Sequence, residues 1–331
     1  MSTRFSTRRS RRVRPGGGRS VADQTAAGAG APLRARVIAA HGRLLRVRTA
    51  DGAESLARAP GRNVQVVCGD EVECQLDSRH DELRIRDIAP RRGTLYRSNA
   101  RGQGELIAAN LTLLVVVVAP LPVPDFFIVD RYLAAAQCAG IRAAVLRNKA
   151  DLAGDEGIES ALSVYARLGF TLLRVSAETR EGLTGLSTLL RSQTAAFVGQ
   201  SGVGKSSLSR ALVPDSSASV GALLRDDEGR HTTTAVRLYQ LPDGGAIVDS
   251  PGVRDFAPAI DRLDAAALGF SEIATLSAGC RFGDCRHLRE PDCAVSAAVG
   301  TTLDPRRYES YRRLRRLFER LQPPPGPRGT R

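Results

Sequence analysis

The chain has 331 residues, of which 42% are hydrophobic and 25% charged, as expected for a globular protein of two or three domains. Its net charge of +13 at pH 7 favours a polyanionic partner such as nucleic acid. The longest apolar run, residues 111–119, is too short for a membrane-spanning helix, so we expect no membrane partner.

The first 92 residues divide into a tail and a strand-rich segment. Residues 1–32 carry seven arginines and one acid among Gly, Ala and Pro, which predicts a disordered basic tail. Residues 33–92 alternate short apolar-polar runs with turn signals, which predicts a small closed barrel of the OB type. The five strands are predicted at 35–40, 44–49, 64–67, 72–76 and 83–88.

The predicted barrel has no Phe, Tyr or Trp, so base stacking is not expected to be its main contact with nucleic acid. Its arginines are instead expected to bind phosphates and to follow RNA shape. A solvated basic barrel with no role in RNA binding is the alternative. The arginines considered are Arg34, Arg36, Arg43, Arg46, Arg48, Arg58 and Arg62.

Strands and helices alternate through residues 93–257, which predicts an α/β domain with a mostly parallel sheet. Strands are predicted at 112–119, 142–147, 171–176, 195–198, 235–241 and 246–249. Helices are predicted at 129–138, 158–168, 182–193 and 205–212.

A phosphate-binding loop lies between the strand at 195–198 and the helix at 205–212. The run G-Q-S-G-V-G-K-S matches the P-loop pattern G-x-x-x-x-G-K-[ST] without a mismatch. Lys205, one of only two lysines in the chain, would contact the β- and γ-phosphates, and Ser206 would bind Mg²⁺. The predicted nucleotide contacts here are Gly199, Gln200, Ser201, Gly202, Val203, Gly204, Lys205, Ser206 and Ser207.

The base is expected to be read by two further loops. The run N-K-A-D, with Asn148, Lys149 and Asp151, follows the strand at 142–147. The Asp151 carboxylate can accept two hydrogen bonds from guanine, one from N1–H and one from the 2-amino group, whereas adenine has neither of these donors, so the motif predicts GTP. Ser176 and Ala177, at the end of the next strand, are expected to contact guanine O6 through the backbone.

Two segments are expected to sense the γ-phosphate. Asp249 begins a D-S-P-G run and suits a water-mediated contact with Mg²⁺, and the Gly252 N–H can meet the γ-phosphate. The run from Gly229 to Thr234 contains three threonines, of which Thr233 is favoured as the Mg²⁺ ligand. An ordinary strand start is the alternative for these threonines.

The order of these motifs is rotated. Ordinary GTPases run P-loop, switch threonine, D-x-x-G, N-K-x-D and S-A, whereas here the last two come first. The same fold results if the original ends are joined near residues 182–194 and the chain is opened after the second switch. This circular permutation leads the second switch directly toward a Cys/His cluster, so switch motion can pass to it.

Residues 258–321 contain that cluster and a predicted helix at 305–321. Three thiolates and an imidazole can close a tetrahedral structural zinc site, and unlinked buried thiols are the alternative. A Tyr/Leu stripe along the helix, between Tyr308 and Leu321, is interpreted as core packing, with arginines covering the remaining surface. Residues 322–331 are predicted to form a disordered tail. The four zinc ligands are Cys280, Cys285, His287 and Cys293.

Together these motifs resemble those of the circularly permuted GTPases of the small ribosomal subunit biogenesis family (RsgA-like), over about residues 34–315. The resemblance implies an OB domain, a permuted G domain, a C-terminal zinc module and a late role in maturing the 30S subunit. Its implied cofactors are GTP as substrate, Mg²⁺ and one structural Zn²⁺, and its implied partners are the 30S subunit and its rRNA. A monomer in the cytoplasm is expected, since a chain with a thiol cluster favours a reducing compartment.

Val253 stands where many GTPases carry the glutamine that orients the attacking water, so hydrolysis by the protein alone is expected to be slow. His231 is a candidate catalytic substitute, and a structural role for it is equally plausible. The alternative function is a nucleotide-gated rRNA-binding scaffold with negligible turnover. A zinc-finger DNA regulator would leave the five GTPase motifs unexplained.

Overall fold

The computed structural model describes residues 32–41, 44–61, 64–77, 82–99, 101–154, 156–213, 236–249 and 257–321. The predicted tails therefore lie outside the described residues, apart from Pro32. So do His231, Thr233 and Gly252 of the predicted switches, together with Val253.

The N-terminal strands form a closed five-stranded barrel, which confirms the predicted OB-like fold. Closure follows the order β1-β2-β3-β5-β4 and back to β1, with β3 and β5 parallel and the other pairs antiparallel. Alternate side chains such as Val37, Val47 and Ile85 fill its interior. The strands are β1 (Leu33–His41), β2 (Leu44–Thr49), β3 (Glu54–Arg58), β4 (Glu71–Asp77) and β5 (Glu82–Ile88).

One predicted barrel strand is wrong. Residues 64–67 are outside any strand, and the third strand is instead β3, which pairs with β2 across the Asp51-Gly52 turn. The segment at 64–67 is fixed by side chains: the Val67 N–H donates to Asp70 Oδ2 at 2.9 Å, and Asp70 binds Arg91. Val66 and Val67 are buried without joining a ladder, which is why the composition of this segment resembled a strand, whereas Val64 is exposed.

A hairpin that the sequence did not predict follows the barrel, with strands β6 (Leu95–Ser98) and β7 (Gly104–Ala108). The free edge of β6 pairs with the chain that follows the predicted second switch. Ser98 N–H donates to the Ala257 carbonyl at 2.8 Å, and Ala259 N–H donates to the Tyr96 carbonyl at 3.1 Å. The chain that follows the predicted second switch is therefore anchored on this hairpin from residue 257 onward.

The G domain is a six-stranded, mostly parallel sheet, as predicted. The strand order is β10-β9-β8-β11-β13-β12, and only β12 is antiparallel to its neighbour. Its strands are β8 (Leu113–Val118), β9 (Arg142–Arg147), β10 (Thr171–Arg174), β11 (Thr194–Gly199), β12 (Val236–Gln240) and β13 (Ala246–Asp249). Its helices are α1 (Phe126–Cys138), α2 (Glu156–Arg167), α3 (Leu183–Leu190) and α4 (Lys205–Leu212). Helices α1 and α2 pack on one face of the sheet, and α3 and α4 pack on the other.

The barrel and the G domain share one continuous sheet. β12, the strand that follows the predicted first switch, pairs with β1, with Ala39 opposite Arg237 and Ala40 opposite Val236. The Arg36 side chain also contacts the G domain, where it donates to Thr194 Oγ1 of β11 at 2.8 Å. Arg36 is therefore a contact between domains, which corrects its predicted role in binding phosphates.

Other barrel arginines also have partners. Arg48 binds Glu54 at 2.6 Å, and Arg58 binds Glu82, whereas the Arg34 side chain is 90% exposed and lies 3.9 Å from Glu73. Arg43 and Arg62 lie outside the described residues. The basic surface of the described barrel is smaller than the count of arginines suggested.

The C-terminal region packs short helices against one long helix. They are α5 (Ser271–Ser277), α6 (Ala294–Ala297) and α7 (Pro305–Leu321), with a single 3-10 turn at Ile260–Arg262. Tyr311 and Leu314 of the predicted stripe are buried with Phe270 and Ile273, which confirms that this face of α7 packs against the core. The stripe does not extend to Leu321, which is 42% exposed, and Phe318 is buried beside it. Within the described ranges, no helix combines the length and apolarity needed to cross a membrane.

Two arginines of α7 are buried, which corrects the prediction that the arginines cover its outer surface. Arg307 binds Asp130 of α1 at 2.8 Å and Glu272 of α5 at 2.6 Å. Arg315 donates to the Ala265 and Ala266 carbonyls, each at 2.6 Å. Both guanidiniums have the partners that a buried charge requires.

Candidate nucleotide-binding site and metal centre

The carboxyl ends of the parallel strands meet at one edge of the sheet. Val118 pairs with Arg147, and Arg147 pairs with Arg174, so β8, β9 and β10 end level with one another. Gly199, at the end of β11, pairs with Val117 of β8. The loops that carry the predicted phosphate and guanine motifs therefore begin side by side, where open α/β sheets bind ligands.

The P-loop connects β11 to α4. The Lys205 side chain is buried, and its ammonium donates to the carbonyls of Gly199 at 2.9 Å and Gln200 at 2.7 Å. The positive charge is thus held within the curve of the loop, next to the start of α4. A helix start and a lysine in this arrangement favour the phosphates of a nucleotide.

Gly204 shows why this loop requires glycine. Its φ is +94°, in the left-handed region, and a Cβ added there would lie 2.2 Å from Asn148 Nδ2. The close approach allows the Asn148 side chain to reach the P-loop backbone. A larger residue at position 204 would separate the phosphate loop from the guanine loop.

Asn148 joins three of the predicted motifs. Its Nδ2 donates to the Val203 carbonyl at 2.8 Å, and its Oδ1 accepts from the Ala177 N–H at 3.2 Å. The Asp151 carboxylate accepts from Ser176 Oγ at 2.5 Å. The structure therefore brings the N-K-A-D loop, the S-A loop and the P-loop into direct contact.

Lys149, the second lysine, links the same loops from outside. Its ammonium donates to the Gly202 carbonyl at 2.9 Å and to the Leu121 carbonyl at 2.7 Å. Leu121 belongs to the Pro-rich segment 119–125, which the sequence analysis did not assign to the site. The Asp125 N–H of that segment also donates to the Gln200 side chain at 3.0 Å. Gln200 therefore supports the P-loop through its side chain, a role that no sequence signal indicated.

The predicted Mg²⁺ side of the site is described in part. Ser206 lies in the first turn of α4, and Asp249 ends β13, one residue beyond the Val248–Ala196 pair with β11. Hydroxyl and carboxylate oxygens are the ligands that Mg²⁺ prefers. His231, Thr233 and Gly252 are outside the described residues and remain predictions.

The four Cys/His residues form one cluster, as the zinc hypothesis requires. All four ligand atoms lie within 4.8 Å of one another. Nδ1 of His287 is 3.5 Å from Sγ of both Cys280 and Cys293, and these two sulfurs are 3.9 Å apart. Zinc bound tetrahedrally sets sulfurs about 3.8 Å apart and sulfur from nitrogen about 3.6 Å, from bond lengths of about 2.3 and 2.0–2.1 Å. The donor set therefore fits zinc in identity and spacing.

Side chains outside the cluster hold its loop. The Tyr308 hydroxyl donates to the His287 carbonyl at 2.9 Å, and the Tyr311 hydroxyl donates to the Arg286 carbonyl at 3.1 Å. Glu290 accepts from the N–H groups of Arg286, Leu288 and Arg289. Burial, with the nearby charge of Arg315, lowers the pKa of His287, which keeps its ring neutral for metal binding.

The remaining cysteines stay outside the cluster. Burial raises the pKa of Cys68 to about 12 and that of Cys74 to about 11, so both are protonated at neutral pH. Cys138 is half-buried and accepts from the Asp264 N–H through its sulfur. These three residues have the properties of inert packing thiols.

Comparison with known sequences identifies close relatives. The model of the family described as RsgA GTPase matches residues 88–258. The small ribosomal subunit biogenesis GTPase RsgA of Azotobacter vinelandii is 43% identical over 254 residues, which cover 75% of this chain and 74% of the relative. The Pseudomonas aeruginosa protein of the same name is 40% identical over 284 residues, covering 84% of each chain.

Two solved structures share the fold. YjeQ from Thermotoga maritima superposes with a TM-score of 0.67 at 25% identity, covering 88% of this chain and 98% of that one. YloQ, described as a circularly permuted GTPase, gives a TM-score of 0.67 at 24% identity, with 88% and 97% covered. The rotated motif order deduced from the sequence is thus confirmed as a property of the fold.

Proposed function

The chain belongs to the RsgA GTPase family and is a GTP hydrolase, and we propose that it acts in late maturation of the small (30S) ribosomal subunit. In this proposal it binds the subunit, and the subunit stimulates hydrolysis. Relatives at 43% and 46% identity are named small ribosomal subunit biogenesis GTPases. We propose that it works as a monomer in the cytoplasm.

The contact of Asn148 with both the P-loop and the S-A loop is the observation that carries the nucleotide part of the proposal. It ties the loop proposed to read the base to the loop proposed to hold the phosphates. Asp151 then accepts the two guanine donors, while Ser176 orients its carboxylate. Loss of the Asp151 carboxylate, or of the contacts that hold it, would remove the preference for guanine.

At the phosphate end, Lys205 would hold the β- and γ-phosphates, and the P-loop backbone would close around them. Ser206 and Thr233 would bind Mg²⁺, with Asp249 acting through water. The ion would neutralise charge on the phosphate oxygens. Gly252 would contact the γ-phosphate through its N–H, so the second switch would respond to hydrolysis.

The positive charge of the chain supports rRNA of the small subunit as its partner. A net charge of +13 and a tail with seven arginines favour binding to rRNA, and an OB barrel is a recurrent fold for oligonucleotide binding. Arg36 donates to Thr194 and Arg58 binds Glu82, whereas the Arg34 side chain is 90% exposed and lies 3.9 Å from Glu73 at its nearest, so Arg34 is a better candidate for a phosphate contact than either.

We also propose one structural zinc ion at Cys280, Cys285, His287 and Cys293. Four protein ligands leave no open position for catalysis, so the ion would serve folding. Metal analysis of purified protein should find about one zinc per chain. Protein prepared without chelator that contains no zinc, or iron in its place, would overturn the assignment.

The deciding experiment measures GTP turnover with purified 30S, 50S and 70S particles. Because Val253 replaces the usual glutamine, turnover alone should be slow, and 30S particles should raise it. Stimulation should weaken steeply with salt, since phosphate contacts compete with counterions. Stimulation by 50S but not 30S particles would contradict the subunit assignment.

Val253 also favours the second candidate, a nucleotide-gated rRNA-binding scaffold with negligible turnover. In that case 30S binding would depend on nucleotide while hydrolysis stayed at its basal rate. His231→Ala separates two roles for the histidine. A catalytic role predicts loss of stimulated turnover with subunit binding retained, whereas a structural role predicts loss of both.

A further inference from the structure

Arg147 is an anomaly in its strand. The last four residues of β9 are buried, three of them apolar, and the fourth is Arg147, which is only 6% exposed. It lies directly before Asn148, the first residue of the N-K-A-D loop. A buried guanidinium requires partners, so its partners show what this position contributes.

The partners lie on the loop that carries Asp151 and on the helix after it. Arg147 Nη2 donates to the Leu152 carbonyl at 3.0 Å. Arg147 Nε lies 3.3 Å from Glu159 Oε1 of α2, and the second oxygen of Glu159 binds Arg174 at the end of β10. One guanidinium thus connects the end of β9 to the far side of the loop.

Gly154 gives a second sign that this pair supports the loop. A Cβ added at Gly154 would lie 3.0 Å from Arg147 Nη2 and 3.1 Å from Glu159 Oε1. Its φ is not in the left-handed region, so what a side chain at this position would meet is the pair itself. The chain passes directly over the Arg147–Glu159 pair at this point.

The contacts bracket the base-reading carboxylate. Before Asp151, the Ala150 N–H donates to the Val175 carbonyl at 3.0 Å. After it, the Leu152 carbonyl accepts from Arg147. Between these anchors the Asp151 carboxylate has one described side-chain contact, with Ser176.

We propose that Arg147 is a positioning residue for guanine recognition, which acts by fixing the loop so that Asp151 meets both guanine donors. The inference rests on the proposed base-reading role of Asp151. Two hydrogen bonds to one carboxylate need a fixed orientation, whereas a single bond tolerates a shift. Arg147 should therefore matter most for the second bond, to the 2-amino group.

The test compares the dissociation constants of GDP and IDP, which lacks the 2-amino group. The proteins are the full-length wild type, Arg147→Met, Arg147→Lys and Arg142→Met, an exposed arginine at the other end of β9. Arg147→Met should weaken GDP binding about tenfold, the effect of losing a supporting buried contact. IDP binding should weaken less, so the dissociation constant of IDP divided by that of GDP (the IDP/GDP ratio) should fall. Arg142→Met should leave both constants unchanged.

The lysine variant distinguishes a positioning role of Arg147 from a general loss of folding. Lysine keeps the charge beside Glu159 but lacks the planar fork that reaches two partners, so its ratio should lie between those of wild type and the methionine variant. In GTP turnover, Arg147→Met should raise KM, while kcat, measured at saturating GTP, should be unchanged. Equal weakening of GDP and IDP, or unchanged GDP affinity, would overturn the proposal.

Asp151→Asn separates this inference from the function on which it rests. If that variant neither loses GDP affinity nor gains affinity for xanthosine diphosphate, the base-reading role itself fails. If Asp151→Asn loses GDP affinity and gains affinity for xanthosine diphosphate, while Arg147→Met keeps the wild-type IDP/GDP ratio, only the role of Arg147 fails.

Discussion

The nucleotide-binding edge and the Cys/His region are positioned by different parts of the chain. At the nucleotide edge, parallel strands end level with one another, and backbone ladders place the loops. In the Cys/His region, α5 has seven residues and α6 has four, too few to be stable helices alone. There the loop is held by the hydroxyls of Tyr308 and Tyr311 and by the Glu290 carboxylate.

This difference predicts different responses to mutation. The strands of a sheet edge stay in place when one side chain is changed, so substitutions there should alter nucleotide binding or turnover with little effect on folding. A loop held by ligands and single hydrogen bonds should lose its shape when one of them is removed. A buried cluster joins the two regions, because Asp130 of α1 binds both Arg306 and Arg307 of α7.

Lys205→Ala should have the largest effect and should be confined to the nucleotide edge. Removing the ammonium leaves the developing charge on the γ-phosphate without its protein cation, so turnover should fall to background even with 30S particles present. Zinc content and thermal unfolding should match wild type. Arg191→Ala, an exposed arginine after α3, is the control. Retained turnover would remove Lys205 from the mechanism.

Cys285→Ser should show the opposite pattern. One ligand fewer should release most of the zinc and unfold the short helices around it, since structural zinc supplies folding free energy. GTP binding should persist because the sheet edge does not depend on the metal, while 30S binding should fall. Cys138→Ser, outside the cluster, should keep its zinc. A variant that lost GTP binding as well would show that the regions are less independent than their contacts indicate.

Asp130→Asn tests the junction between the two regions, the buried cluster of Asp130, Arg306 and Arg307. Loss of the carboxylate leaves the buried Arg307 with Glu272 as its remaining acidic partner, and losing a hydrogen bond to a charged group costs about 1.5–3 kcal/mol. Thermal unfolding should shift to lower temperature, with the Cys/His region separating from the G domain. Glu309→Gln, which breaks an exposed pair with Arg312 on the same helix, should change stability by less than about 1 kcal/mol. Similar effects for both variants would show that the buried cluster is not the junction.

The sequence predicted what depends on local pattern. Strand Arg142–Arg147 and helix Pro305–Leu321 have the predicted bounds, because apolar periodicity and turn residues mark them. β3 was missed since Glu, Ser and Ala are weak strand formers, and it is a strand only through pairing with its neighbours. Buried arginines could not be foreseen either: Arg307 binds Asp130 from 177 positions away, and Arg36 binds Thr194 from 158.

Tyr308→Phe should have the smallest effect and gives the finest test of the comparison. The hydroxyl fixes the carbonyl of His287, whose φ of +59° is in the left-handed region that histidine adopts infrequently. The aromatic ring and its packing remain in the variant, so only the hydrogen bond is lost, at about 1 kcal/mol. Zinc should transfer to a chelator about fivefold faster, while GTP binding and basal turnover stay unchanged. The control is Tyr239→Phe, in β12 of the G domain, which should release zinc at the wild-type rate. An unchanged rate in Tyr308→Phe would mean that the metal ligands alone hold the loop, and that side-chain support matters less there than the geometry indicates.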